Sequence, residues 1–422
     1  MKRYHKYKDS GISWLGQIPE HWEVKQLRSF LKLFSEKGHG DSQLLSVTRE
    51  QGVIQRDVES KEENHNYIPE DLSGYKYIEK GDFVINKMKA WQGSYAVSDY
   101  DGIVSPAYYT CKLSSVNSRF FTMAIRSKVY VSFFAQYSKG IRVGQWDLET
   151  EALKAIPFFF PPLNEQQKIV EFLDSKISKI DSYISEKEKE VKLLAELKQS
   201  QIAQVVTKGI NPNVPMKDSG ISWIGQIPEH WEVCRMKKVF SLSKEKTESE
   251  DGTLLSLSQY TGILPKSEAG KTGMFEAEST IGYNVVHKGQ FVMNIMLAWN
   301  GSYAVSDYEG VISPAYCVFN FNIDCNKKYF HYLLRLSSYA GAFKTMSKGI
   351  IESRLRLYPQ YFLAFNTFIP PIEEQNQIVA YIESKCQSID SMISNLESEI
   401  AYLKEYKQSL IADAVTGAIN VQ

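Results

Sequence analysis

Cysteine is scarce in this 422-residue chain: Cys111, Cys234, Cys317, Cys325 and Cys386 form no CxxC pair and fall at unequal places in its two halves. That pattern argues against a disulfide framework and against a repeated zinc site, and leaves reduced thiols of a cytoplasmic protein as the expectation. Surplus charge is lacking as well. Lysine plus arginine equals aspartate plus glutamate at 49 each, so a polyanion partner would have to be met by a local basic patch. No stretch approaches the 18 or so consecutive apolar residues of a membrane span, and the opening MKRYHKYKDSG has no apolar core of a secretory signal. The usual signatures of catalysis are missing too. There is no GxxxxGK[ST], no GxGxxG after a strand, no HExxH, no GxSxG and no Asn-Pro-Pro-aromatic tetrad. The expectation is a chain with no catalytic residues, no bound metal and no cofactor of its own.

What is present is duplication. Lys8–Val24 reads KDSGISWLGQIPEHWEV and Lys217–Val233 reads KDSGISWIGQIPEHWEV, so sixteen of seventeen positions match at an offset of 209. Repeats are sought before secondary structure because missing one misreads the whole fold. Further matches follow in order: Lys80–Asn86 with Lys288–Asn294, Gly93–Tyr100 with Gly301–Tyr308, Ser105–Tyr108 with Ser313–Tyr316, and Ser138-Lys139-Gly140 with Ser347-Lys348-Gly349. Alternating apolar, β-branched and aromatic residues bounded by Gly, Asp and Pro predict a β-rich core in each copy. Helical spacing is expected over Val24–Phe34 and Val233–Leu242, and again around Arg119–Gln136 and Lys327–Phe343. The copies diverge between Thr48 and Gly74, and between Thr261 and Gly282.

Each half ends in a double proline, Pro161-Pro162 or Pro370-Pro371, after which the texture becomes long, charged and helical. Ile177, Ile180, Ile184, Val191 and Leu194 in the first stretch, and Ile382, Ile389, Ile393, Leu396, Ile400 and Leu403 in the second, keep the 3–4 spacing of a coiled-coil seam. About 40 residues of helix span about 60 Å, too long and one-sided to be buried in a globular unit. The expected partner is the other copy, antiparallel, which would set the globular units at opposite ends of a common rod. The predicted organisation is 1–163 globular, 164–208 helix, 209–372 globular and 373–422 helix: an α/β (α+β) fold with pseudo-two-fold symmetry.

Candidate binding residues come from comparing the copies. In NKMKAWQGSY and NIMLAWNGSY the frame is constant, while Lys87, Lys89 and Gln92 give way to Ile295, Leu297 and Asn300 around the repeated Trp91 and Trp299. If this stretch is a strand, 87 and 89 share a face. Lys139 and Arg142 in one copy, and Lys348, Arg354 and Arg356 in the other, place cations on Gly-containing loops suited to phosphates and to guanine edges. His21 and His230, in matching PEHW contexts, read as histidines bonded within a packed loop.

The duplicated SGxxWxGxxPxHWE opening, the SKGxxxxxL loop, the PPLxEQ or PPIxEQ junction and the following helix resemble the specificity subunits of type I restriction–modification systems, over essentially the whole chain. The resemblance implies two target recognition domains on an antiparallel helical pair, each reading half of a bipartite double-stranded DNA site, with the helices as ruler for the spacer. It also implies that two methyltransferase subunits and the restriction subunits dock on this chain. Those partners would bring S-adenosylmethionine, ATP and Mg. The competing reading is a duplicated coiled-coil scaffold that binds protein and does not read DNA.

Overall fold

The computed structural model describes residues 2–12, 15–57, 68–69, 71–140, 146–259, 262–268, 279–349 and 355–421. It divides into two compact units, 1–189 with 397–422, and 190–396. Two long helices, Leu163–Lys208 and Ile372–Val415, are each shared between the units, so the first unit is made of two separate stretches of sequence and the second of one.

The first unit is built on a four-stranded antiparallel sheet in the order Leu31–Phe34, Tyr108–Leu113, Phe83–Asn86 and Tyr95–Val97. Phe83, Val84 and Ile85 are all fully buried, as expected for a strand covered on both faces. One face meets a cluster of Leu45, Val47, Val53, Ile78, Ala96 and Val104, supplied partly by the hairpin Leu45–Thr48 and Gly52–Gln55. The helices Ser118–Ile125 and Lys128–Tyr137 follow, the first capped by the Asn117 side chain accepting from the Phe120 N–H at 3.0 Å.

The second unit repeats this plan. Its sheet runs Phe240–Leu242, Tyr316–Phe321, Phe291–Asn294, Tyr303–Val305. Period-two alternation is explicit here: Val292 belongs to one apolar cluster with Leu255, Leu257 and Ile263, while Phe291 and Met293 belong to another with Phe319, Phe343 and Phe362.

Two expectations are corrected. Val24–Phe34 is not a helix but a strand, Glu23–Gln26, a 3-10 turn, Leu27–Ser29, and a second strand, Leu31–Phe34. Val233–Leu242 likewise resolves into Glu232–Arg235, the one-turn helix Met236–Val239 and Phe240–Leu242. Leu27, Phe30 and Leu31 are buried as their spacing suggested. However, Glu23–Gln26 is claimed by Pro157–Phe160, and Leu31–Phe34 by Tyr108–Leu113. Pairing with segments some 80 to 130 residues away overrides local periodicity.

In both units the two long helices run antiparallel. In the first unit Asp181 pairs with Lys407 at 2.7 Å, Glu188 with Lys404 at 3.0 Å and Lys187 with Glu399 at 3.3 Å. In the second, Lys198 pairs with Asp390 at 2.7 Å. Ile180, Ile184, Ile382, Ile389, Leu396 and Ile400 are buried along the seam, and Ile177, Val191, Leu194, Ile393 and Leu403 are half-buried. The seam read from spacing is therefore the packed face of a coiled coil. No helix among the described residues is long and apolar enough to cross a membrane.

The double-proline junctions act as joints. Glu165 is buried and accepts from the Tyr4 hydroxyl at 2.5 Å, with His21 Nε2 at 2.7 Å. Gln166 accepts from the Asn117 N–H at 2.8 Å and donates to the Pro161 carbonyl at 2.8 Å. The second unit repeats the histidine and glutamine bonds and changes one partner: Glu374 takes His230 and, in place of a tyrosine hydroxyl, the Trp231 indole N–H, and Gln375 takes the Asn326 N–H and donates to the Pro370 carbonyl. Glu-Gln fixes the angle at which each helix leaves its globular part, and the paired histidines are structural.

Candidate nucleic-acid interface

The central strand of each sheet ends at Asn86 or Asn294 and runs into a turn, then a single 3-10 turn, Ala90–Gln92 or Ala298–Asn300. Gly93 and Gly301 follow at φ of 92° and 83°, a left-handed conformation that lets the chain double back into the next strand. Lys87 and Lys89, like Ile295 and Leu297, thus stand on a turn beyond the strand, and the shared-face argument made for them does not apply. Lys89 and Leu297 are exposed, while Lys87 and Ile295 are half-buried.

A second segment is stitched to this turn. Lys139 and Asp147 exchange backbone hydrogen bonds of 3.0 and 2.9 Å, and the next N–H, of Leu148, donates to the Lys87 carbonyl at 3.1 Å. In the second unit Lys348 and Arg356 exchange bonds of 2.9 Å each, and the Leu357 N–H donates to the Ile295 carbonyl at 2.9 Å. Two groups of candidates some 50 residues apart in sequence therefore become one site in each unit. Lys139, Lys348 and Arg356 are exposed there. Arg142 and Arg354 lie outside the described residues.

Chemistry differs between the copies. In the first, the Lys87 ammonium meets Asp147 at 3.0 Å, and this hydrogen bond raises the lysine above its ordinary pKa. Trp91 leans on Trp146 with ring centroids 5.2 Å apart, and its indole N–H finds no acceptor among the described residues. In the second, the Trp299 N–H donates to the Met296 carbonyl at 2.9 Å and Lys344 lies over the ring at 5.6 Å. The Lys348 ammonium lies 5.4 Å over Tyr361. Gln92 is half-buried and Asn300 exposed, each closing its 3-10 turn. Aromatic rings beside cations on a turn and loop can contact both phosphates and bases.

Asp147, Trp146 and Lys344 were not singled out from sequence. Extending the repeat alignment through SKGxxxxxL would have set Asp147 opposite Arg356 and Trp146 opposite Leu355. Arg126 and Arg335, which a charge census would count as available, are committed to the fold. Arg126 donates to the Tyr95, Arg49 and Glu50 carbonyls at 3.0, 2.9 and 2.9 Å, and Arg335 donates to those of Tyr303 and Gln259. No group of three or more His, Cys, Asp or Glu positioned to hold a metal occurs among the described residues.

Residues 19–193 match the family model described as the type I restriction modification DNA specificity domain. The chain is 24% identical over 433 residues to the type I restriction enzyme MjaVIII specificity subunit of Methanocaldococcus jannaschii, covering 96% of this chain and 95% of that one. Its fold is similar to a chain in a structure reported on complex assembly and conformational transition of the type I R-M system (TM-score 0.66, 15% identity, 95% of this chain and 99% of that one). It is also similar to the HsdS subunit from Thermoanaerobacter tengcongensis (TM-score 0.51, 16% identity, 95% and 98%). The match to the type I DNA specificity domain thus falls in the first half of the chain, while the similarity to specificity subunits runs over nearly its whole length.

Proposed function

We propose that each unit reads one half of a bipartite double-stranded DNA site through the turn at 87–92 or 295–300 and the bridged residues Lys139 and Asp147, or Lys348 and Arg356. The two helices shared by the units set the unspecified spacer. The observation that carries this reading is that one backbone frame, with the same stitching bonds in both copies, bears different side chains. Related readers of unlike sequences need a constant frame and a variable face. Methyl transfer and cleavage fall to partner subunits, which would bring S-adenosylmethionine, ATP and Mg; this chain needs none of them to fold or to read. Balanced net charge fits a reader that shares phosphate contacts with those partners. Exposed Tyr183, Tyr402 and Tyr406 on the helices of the first unit, and Leu193, Leu197 and Met392 in the second, are where two methyltransferase subunits would dock. The cytoplasm is the expected compartment.

Enrichment of randomised duplexes by the chain together with its methyltransferase tests this. A split motif with a fixed gap is the expected result, and enrichment of no motif would leave the protein-binding scaffold as the better account.

A further inference from the structure

The Lys87–Asp147 pair of the first unit is replaced at both ends in the second. Position 87 becomes Ile295 and position 147 becomes Arg356, although the backbone bonds joining the two places are the same. Changing either end alone would be unfavourable: aspartate opposite isoleucine loses its partner, and arginine opposite lysine sets two cations together. The double exchange avoids both. In the first unit the carboxylate is fully engaged, one oxygen 3.0 Å from the Lys87 ammonium and the other accepting from the Leu148 N–H at 3.0 Å. In the second unit Ile295 packs against the apolar core, and Arg356 is exposed with no ion pair to any described residue. The same scaffold position thus presents a closed, neutral pair in one unit and an open guanidinium fork in the other.

We infer that Arg356 is a specificity-determining residue that donates both arms of its guanidinium to the O6 and N7 of a guanine in the half-site of the second unit, and that the Lys87–Asp147 pair withholds such a contact in the first. The planar fork matches two acceptors on one base edge, which a lysine ammonium cannot do in the same way. The neighbouring Lys348, joined to Arg356 through the backbone, supplies charge for the phosphate instead. This rests on the DNA-reading function proposed above.

The test is duplex enrichment with the full chain bound to its methyltransferase, comparing the native protein with Arg356→Lys, and with the double exchange Lys87→Ile and Asp147→Arg. Arg356→Lys keeps the charge at an exposed position, so folding is not at stake. It is expected to lower guanine preference at one position of one half-site by on the order of tenfold, leaving the other half-site unchanged. The double exchange is expected to create a guanine preference in the other half-site. If the native protein enriches a split motif and Arg356→Lys leaves that motif intact, weakening all duplexes alike or none, Arg356 does not read a base and the inference falls. If the native protein enriches no motif, the underlying reading falls with it.

Discussion

The two units agree at their joints and differ at their tips. At the joint, Gln166 makes the bonds that Gln375 makes, down to Asn117 and Asn326, and Glu165 and Glu374 each take the repeated histidine, with the Tyr4 hydroxyl as further partner in one unit and the Trp231 indole in the other. At the tip, Trp91 rests on Trp146 where Trp299 bonds Met296, and an ion pair is exchanged for an arginine with no ion pair to any described residue. The difference teaches where each kind of residue is constrained. A joint of buried polar groups is costly to leave half-satisfied, so its members change together or not at all. A tip whose backbone is held by main-chain bonds can exchange side chains without disturbing the frame.

The seam of the helices is where the comparison breaks most severely. Ile184, buried in the first unit, is expected to lose about 3 to 5 kcal/mol on conversion to aspartate, since a packed branched side chain is deleted and a charge is set in its place. Ile393→Asp, at a half-buried position of the second unit, is expected to lose about half as much. Urea denaturation followed by helical circular dichroism measures both. Equal losses would mean that the seam is packed alike in the two units. If a mutant with both changes keeps its spacing preference, the helices are not the ruler.

Acid sharpens the contrast next. His331 of the second unit stands where the first unit has Thr122. Burial, and secondarily the nearby Arg335 charge, push its pKa down to about 4 from an ordinary 6.5. The folded state then holds it neutral while the unfolded chain takes up a proton. Its contribution is therefore whole above about pH 6.5 and is lost as pH falls toward 4, by at most about 3 kcal/mol. The second unit should lose stability on that acid limb, and His331→Thr should flatten it. A limb unchanged by the substitution would place the acid sensitivity elsewhere.

The joints follow. Glu165→Ala strands the buried Tyr4 hydroxyl and His21, an expected loss of about 2 to 3 kcal/mol. Glu374→Ala strands the Trp231 indole at a more exposed joint, and about 1 to 2 kcal/mol is expected. Thermal denaturation of the two variants compares them, and a larger loss at Glu374 would reverse the ranking.

Much of this was legible from the repeat. Matching PEHW and PPxxEQ segments marked the joints, and the 3–4 spacing of isoleucines marked the seam, because both depend on local order in the chain. The strands at Glu23–Gln26 and Leu31–Phe34 were misread as helix, because their partners at Pro157–Phe160 and Tyr108–Leu113 are distant and amphipathic spacing cannot see them. The candidate site was half visible. Lys87 and Lys139 were found as separate cations, whereas Asp147, which ties them into one site and neutralises the first, carries no signal until the loop leg folds back onto the turn.

The smallest expected effect on stability is the most informative about assembly. Beyond Leu163 at the helix start, the exposed large apolar side chains on the long helices fall at three repeat positions, 183 with 392, 193 with 402, and 197 with 406, giving an aromatic set in the first unit and an aliphatic set in the second. Tyr402→Ser with Tyr406→Ser, on side chains 73% and 49% exposed, is expected to change folding free energy by no more than about 0.5 kcal/mol per site. If these sets are the docking places, the change should lower the methyltransferase bound from two copies to one by native mass spectrometry, and Leu193→Ser with Leu197→Ser should do the same from the other side. Two copies retained in both variants would move docking off these faces. Unequal losses would follow from the chemistry, since a tyrosine set offers larger area and hydroxyl partners where the aliphatic set offers area alone.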